Sequence, residues 1–163
     1  MSQTPDIEFI RLARSNARQF IGLKVRDSEE HLIASNAQWI AMAAFIDEAT
    51  TYGMFRAGAP CGLISLIDPR LVQDEEGLEN TQDGCLYVWR LMVDQHHRGH
   101  DVGTAAIRFA ERQAAALGFR GISLTTMDHA ELNALPFYTM LGFTPTGRRL
   151  GGEIELIKTF DPA

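Results

Sequence analysis

The stretch Leu91-Met92-Val93-Asp94-Gln95-His96-His97-Arg98-Gly99-His100-Asp101-Val102-Gly103-Thr104 carries the clearest chemistry in this chain. It joins an apolar run to the start of an amphipathic one through a turn that holds an arginine and glycines. A helix start presents backbone N–H groups with no intrahelical partner and a partial positive charge, which together bind phosphate oxygens. Glycine permits the close backbone approach that a pyrophosphate requires. Arg98 and the histidines beside it add positive charge. The chemistry expected is a phosphate cradle over Arg98, Gly99, His100, Asp101, Val102, Gly103 and Thr104. His96, His97 and His100 lie in a tight turn without a carboxylate or cysteine frame, so no metal site is expected there.

The elements that must position this turn follow from periodicity and punctuation. Ile7–Leu12 reads as a first strand, and Ser15 caps a short helix through Ile21. Asp27-Ser28-Glu29-Glu30 is a helix-start signal. Asn36 is expected to cap a helix over Ala37–Glu48. Tyr52–Arg56 and Cys61–Ile67 form a hairpin around Ala57-Gly58-Ala59-Pro60. Asp68–Gly84, with six acids and few apolar residues, reads as an exposed loop. Leu86–Val93 is a buried strand. A long helix runs from near Val102 to Gly118, with Val102, Ala105, Ala106, Phe109 and Leu117 on one face. Ile122–Thr126 is a strand, Ala130–Leu141 a helix, and Glu153–Phe160 a final strand. The order predicts a single α/β domain over residues 1–163 with a mixed sheet.

The chain has 163 residues and a net charge of −6. That balance argues against nucleic acid or an anionic membrane as the main partner and leaves room for a cationic small molecule. Cys61 and Cys85 form neither a C-x-x-C pair nor a disulfide framework, which fits a reducing cytoplasm. MSQTPDIEF lacks the basic and apolar regions of a signal peptide, and no apolar run is long enough to span a bilayer.

Arg98-Gly99-His100-Asp101-Val102-Gly103 and, downstream, Phe137-Tyr138-Thr139-Met140-Leu141-Gly142-Phe143 resemble two motifs of the GNAT superfamily of N-acetyltransferases. The first is similar to the family's acetyl-CoA signature Arg/Gln-x-x-Gly-x-Gly/Ala. The second is similar to Leu-Tyr-x-x-x-Gly-Phe. The resemblance runs from about Tyr52 onward. It implies a mixed, mostly antiparallel sheet, splayed at the acetyl-CoA site and flanked by helices. It also implies acetyl transfer to an amine in a ternary complex with acetyl-CoA, with no metal. By the same resemblance Leu91, Met92 and Val93 offer backbone groups to the pantetheine arm, and Tyr138 protonates the departing thiolate. Two positions depart from the family pattern. Asp101 stands where a glycine is usual; a carboxylate beside a pyrophosphate would repel it, so its side chain is expected to point away. Glu131 occupies the place of a frequent asparagine, and Asn133 is the nearby substitute. A homodimer is common in the family.

Leu23-Lys24-Val25, Ile33-Ala34-Ser35-Asn36, Trp89-Arg90-Leu91-Met92-Val93-Asp94, Thr146-Gly147 and Gly152-Glu153-Ile154 resemble bacterial spermine/spermidine (diamine) acetyltransferases. That closer likeness implies a polyamine such as spermidine or spermine. Asp27–Glu48 holds five acids and no lysine or arginine. In this fold the early helices border the acceptor site, so Glu29, Glu30 and Glu48, with Glu153, are expected to meet a cationic amine. The alternatives are a peptide or antibiotic amine acetyltransferase, or a module that binds acyl-CoA as a sensor. No acid lies on Leu86–Val93, and the residue that deprotonates the amine is unassigned.

Overall fold

The structure is a computed structural model that describes residues 6–73, 79–129, 131 and 133–160. Its strands are β1 (Ile7–Arg11), β2 (Ala49–Arg56), β3 (Ala59–Ile67), β4 (Cys85–Val93), β5 (Gly121–Thr126), β6 (Thr144–Leu150) and β7 (Glu153–Thr159). They form one sheet in the order β1-β2-β3-β4-β5-β7-β6. Every neighbouring pair is antiparallel except β4 and β5, which are parallel. The mixed sheet expected from the sequence is therefore present. The helices are α1 (Arg18–Ile21), α2 (Asn36–Ala43), α3 (Val102–Ala116) and α4 (Leu135–Met140). Among the described residues no helix is long and apolar enough to cross a membrane.

The central strands are covered on both faces, which is why β3 is a continuous apolar run rather than an alternating one. On one face α3 lays Val102, Ala106, Ile107 and Ala110 against Ile64, Leu86, Ile122 and Leu124. On the other, Phe20 of α1 and Trp39 of α2 pack on Leu63 and Met92. The Trp39 indole is fully buried, and its Nε1–H donates to Ser65 Oγ at 2.6 Å, so the burial leaves no orphaned donor. Cys61 and Cys85 are buried free thiols, and burial pushes the Cys61 thiol up to about 11.

Several elements differ from the sequence expectation. Ser35, not Asn36, caps α2: its Oγ accepts from Gln38 N at 3.3 Å. Asn36 is buried instead, donating from Nδ2 to the Phe20 carbonyl at 2.8 Å. Leu117 is the C-cap of α3 and is 44% exposed, off the buried face. The last helix starts at Leu135, with Pro136 in its first turn, where the missing N–H is harmless. Its expected start at Ala130 lies outside the described residues, as do positions 74–78 of the acidic loop. Strand β6 was not expected, because Pro145, Gly147 and two arginines mask the pattern. It is an exposed edge strand that pairs with β7 alone.

Gly62 of β3 faces Val93 of β4, and a Cβ there would lie 2.4 Å from the Met92 carbonyl oxygen and 2.5 Å from the Met54 methyl. Gly62→Ala must therefore push β4 away or displace Met54. Urea denaturation is expected to show a loss of about 1–3 kcal/mol, the usual range for an overpacked core.

Candidate active site

Parallel pairing of β4 with β5 covers only Cys85–Tyr87 against Gly121–Ser123. Beyond those three pairs the strands part, leaving the backbone of β4 from Val88 to Val93 without a strand on that side. A bulge accompanies the parting. The β3–β4 register passes from Ser65 opposite Arg90 to Leu66 opposite Val88, so Trp89 is an extra residue in β4. A bulge bends its strand and tightens its twist. The opening is a cleft of about 730 Å³.

At one end of the cleft Asp94 buries its carboxylate. Oδ1 accepts from Lys24 N at 2.9 Å, Oδ2 from His96 N at 3.2 Å, and Gln95 N donates to the Lys24 carbonyl at 2.7 Å. The chain then passes Gly99 at φ +77° and Asp101 at φ +57° before entering α3. The usual glycine at position 101 corresponds to a left-handed backbone, which aspartate tolerates better than most residues. The Asp101 side chain is exposed and caps no N–H. The first helical bond runs from Ala105 N to the Asp101 carbonyl, so the N–H groups of Val102, Gly103 and Thr104 have no intrahelical partner. Gly103 also admits α4, since a Cβ there would meet Phe137 at 3.1 Å.

Arg98 lines this end, but its guanidinium pairs with the Glu29 carboxylate. Glu29 Oε1 also accepts from Arg26 N at 3.2 Å. Burial, with the charge of Arg26 adding to it, holds the Arg98 pKa below its usual value. Of the residues expected at the cofactor, Leu91, Met92, Val93, Arg98, Gly99, Asp101, Val102, Gly103, Thr104 and Asn133 line the cleft. The Met92 side chain packs beneath α1 and α2, so its backbone is what it offers. Asn133 Oδ1 accepts from Leu135 N at 2.9 Å and shapes the start of α4. His100 is exposed and outside the cleft lining.

Tyr138 and Glu153 line the same cleft and interact through space. Tyr138 packs between Phe137 and Phe143, at ring centroid separations of 5.2 and 5.5 Å. Burial pushes its phenol up to about 12, and the Glu153 charge adds to the shift. Glu153 begins β7 and accepts from Thr125 Oγ1 at 2.7 Å. Tyr87 and Arg90 of β4 complete the polar group. Sequence reasoning missed Tyr87, Arg90 and Thr125; the bulge that turns Arg90 inward has no one-dimensional signature. Glu30 is exposed, and neither Glu30 nor Glu48 lines the cleft. Of the early acidic run, Glu29 lines the cleft, where it pairs with Arg98. Among the described residues no group of three or more His, Cys, Asp and Glu side chains could hold a metal ion.

Residues 10–143 match the model of the acetyltransferase (GNAT) family. The chain belongs to that family. This GNAT chain is an acetyl-CoA-dependent N-acetyltransferase, and solved structures share its fold. PaiA N-acetyltransferase from Thermoplasma acidophilum, in complex with coenzyme A, is 16% identical with a TM-score of 0.67, covering 95% of this chain and 99% of that one. An aminoglycoside 6'-N-acetyltransferase complexed with coenzyme A is 18% identical with a TM-score of 0.68, covering 96% and 98%. An aminoglycoside 6'-acetyltransferase type Ii is 20% identical with a TM-score of 0.67, covering 96% and 99%. The residues fit acetyl-CoA: three N–H groups without helical partners, a glycine turn and a cleft arginine stand where phosphate oxygens need donors.

The Tyr138 phenol is expected to titrate near 12 instead of 10, read as the alkaline absorbance change missing from Tyr138→Phe. Glu153→Gln lowers that midpoint by removing the repelling charge. An unfolded phenol ionises near 10, so the stabilisation is complete below that pH and is lost as pH rises towards 12. Chemical denaturation at about pH 9 and about pH 11 is therefore expected to show a smaller loss for Tyr138→Phe than for wild type.

Proposed function

We propose that this GNAT enzyme moves the acetyl group of acetyl-CoA directly to a small primary amine, with both bound in one ternary complex. What supports this reading is one juxtaposition: Tyr138 and Glu153 share a cleft with the partner-free N–H groups of α3. When bound, the coenzyme supplies an activated acetyl thioester; the rest falls to the chain. The N–H groups of Val102, Gly103 and Thr104, with Arg98, hold the pyrophosphate. The backbone of Leu91, Met92 and Val93, left without a strand neighbour, receives the pantetheine arm. Tyr138 carries its proton at neutral pH, as phenols do, and it delivers that proton to the departing sulfur.

An alkyl ammonium must lose a proton before it can attack. Three carboxylates of the described residues line the cleft: Glu29, Asp101 and Glu153. Glu29 is held by Arg98, and Asp101 belongs to the cofactor turn. Glu153 is left to face the acceptor ammonium and to take its proton, directly or through water. A polyamine is the finer form of this reading and rests on the sequence likeness. The geometry adds one acceptor-side carboxylate, enough for one ammonium.

The protein is to be incubated with acetyl-CoA and a panel of spermidine, spermine, amino acids, a peptide and an aminoglycoside, following thiol release. Release with at least one small amine is expected, with kcat for Tyr138→Phe falling far more than KM for acetyl-CoA rises. Tight coenzyme binding without thiol release from any amine would favour an acyl-CoA sensor. Release with the peptide alone would remove the small-amine reading.

The pairing of Arg98 with Glu29 gives a second test. A pyrophosphate competes with Glu29 for the same guanidinium, so Glu29→Gln is expected to tighten coenzyme A binding several-fold by calorimetry. Arg98→Gln is expected to weaken it roughly tenfold or more, as for loss of a charge-assisted hydrogen bond. Weaker binding in Glu29→Gln would instead mean that Glu29 holds Arg98 in place for the phosphate.

A further inference from the structure

The acceptor end of the cleft holds a cation that acetyl transfer to a bare amine does not use. Arg90 lines the cleft. In a regular strand Trp89 and Arg90 would point to opposite faces. The bulge at Trp89 cancels that alternation, and the Arg90 guanidinium stacks over the Trp89 ring at 4.8 Å. Arg90 thereby joins the face that carries Tyr87. Its Nε is buried and has no hydrogen-bond partner, and among the described residues it is in no ion pair.

Arg90 is half-buried, and leaving its sealed Nε donor unpaired is costly; natural structures seldom do so. Glu153 lowers that cost through space but is bonded to Thr125 rather than to Arg90. The pyrophosphate is not the missing partner. Arg90 precedes Val93 by three residues, roughly 10 Å along the strand, and the cradle lies beyond Val93. The cleft therefore carries both Glu153 and Arg90 in its lining, one negative group and one positive that interact through space, beyond the reach of the cofactor's phosphates.

We propose that Arg90 binds a carboxylate of the acceptor, so that the acceptor is an amino acid or a compound with an amino-acid end. Its ammonium faces Glu153, and its carboxylate takes the guanidinium as a charge-assisted, two-pronged partner. The inference rests on the acetyl-transfer reading and narrows its acceptor. It disfavours a polyamine, whose every polar group is cationic and would be repelled by Arg90.

Matched pairs that differ only in the carboxylate test it: lysine against cadaverine, and phenylalanine against phenethylamine. The kcat/KM ratio by thiol release is expected to favour the amino acid by roughly tenfold to a hundredfold, the range for a hydrogen bond to a charged group. Arg90→Gln is expected to bring the ratio close to one while KM for acetyl-CoA stays within about twofold; Arg90→Lys restores part of the preference. Thermal melting checks that both variants fold. Equal or better use of the carboxylate-free partners, or a ratio unmoved by Arg90→Gln, overturns the inference and leaves acetyl transfer standing. If no amine releases thiol, acetyl transfer itself fails. Calorimetric titration of the coenzyme-A-loaded protein with the same pairs then reads the preference directly, and equal affinity within each pair overturns it.

Discussion

Backbone N–H and C=O groups of a buried strand must find partners, because leaving them bare is expensive. Strand β4 meets this requirement on its β3 side along nearly its whole length and on its β5 side for three residues only. Where the second pairing stops, Val88–Val93 presents an open polar edge inside the molecule instead of at its rim. The β4-α3-β5 crossover delivers the N-terminus of a 15-residue helix to the mouth of the same opening. An extended ligand with carbonyls and amides along its arm and phosphates at its end would satisfy both sets of groups at once.

The charges sort themselves along that opening. The α3 end carries helix N–H groups, Arg98 and Arg26, with Glu29 neutralising part of the charge. The other end carries Glu153, Arg90 and two phenols, of which Tyr138 is kept protonated by burial and by the neighbouring carboxylate. Asp101 sits at the start of α3 without capping it: its left-handed backbone keeps the turn, and its exposed side chain leaves the helix N–H groups free.

The strand-turn-helix unit around Arg98 was legible from the sequence because its parts are contiguous: a strand, a turn with Arg98 and Gly99, and a helix with apolar spacing. The central strands were equally plain, since Leu86–Val93 and Ile122–Thr126 are apolar runs bounded by turn residues. Around Tyr138 the sequence pointed to Glu153 alone. Tyr87, Arg90 and Thr125 come from two strands, and a bulge sets the direction of one of them. Glu30 and Glu48 do not line the cleft, because a run of acids says nothing of where a 3-10 helix, or the turn before β2, points them. Edge strand β6 escaped for a related reason: its residues face solvent and carry no apolar alternation.

The central claim is that the unpaired edge of β4 and the first turn of α3 form one receiving surface for the coenzyme. Amide hydrogen exchange, with and without saturating coenzyme A, tests it most directly. Protection is expected to rise at Val88–Val93 and at Val102–Thr104, with little change in β1 and β2. Tight coenzyme binding that protects other segments and leaves the β4 edge exchanging as before would contradict the account.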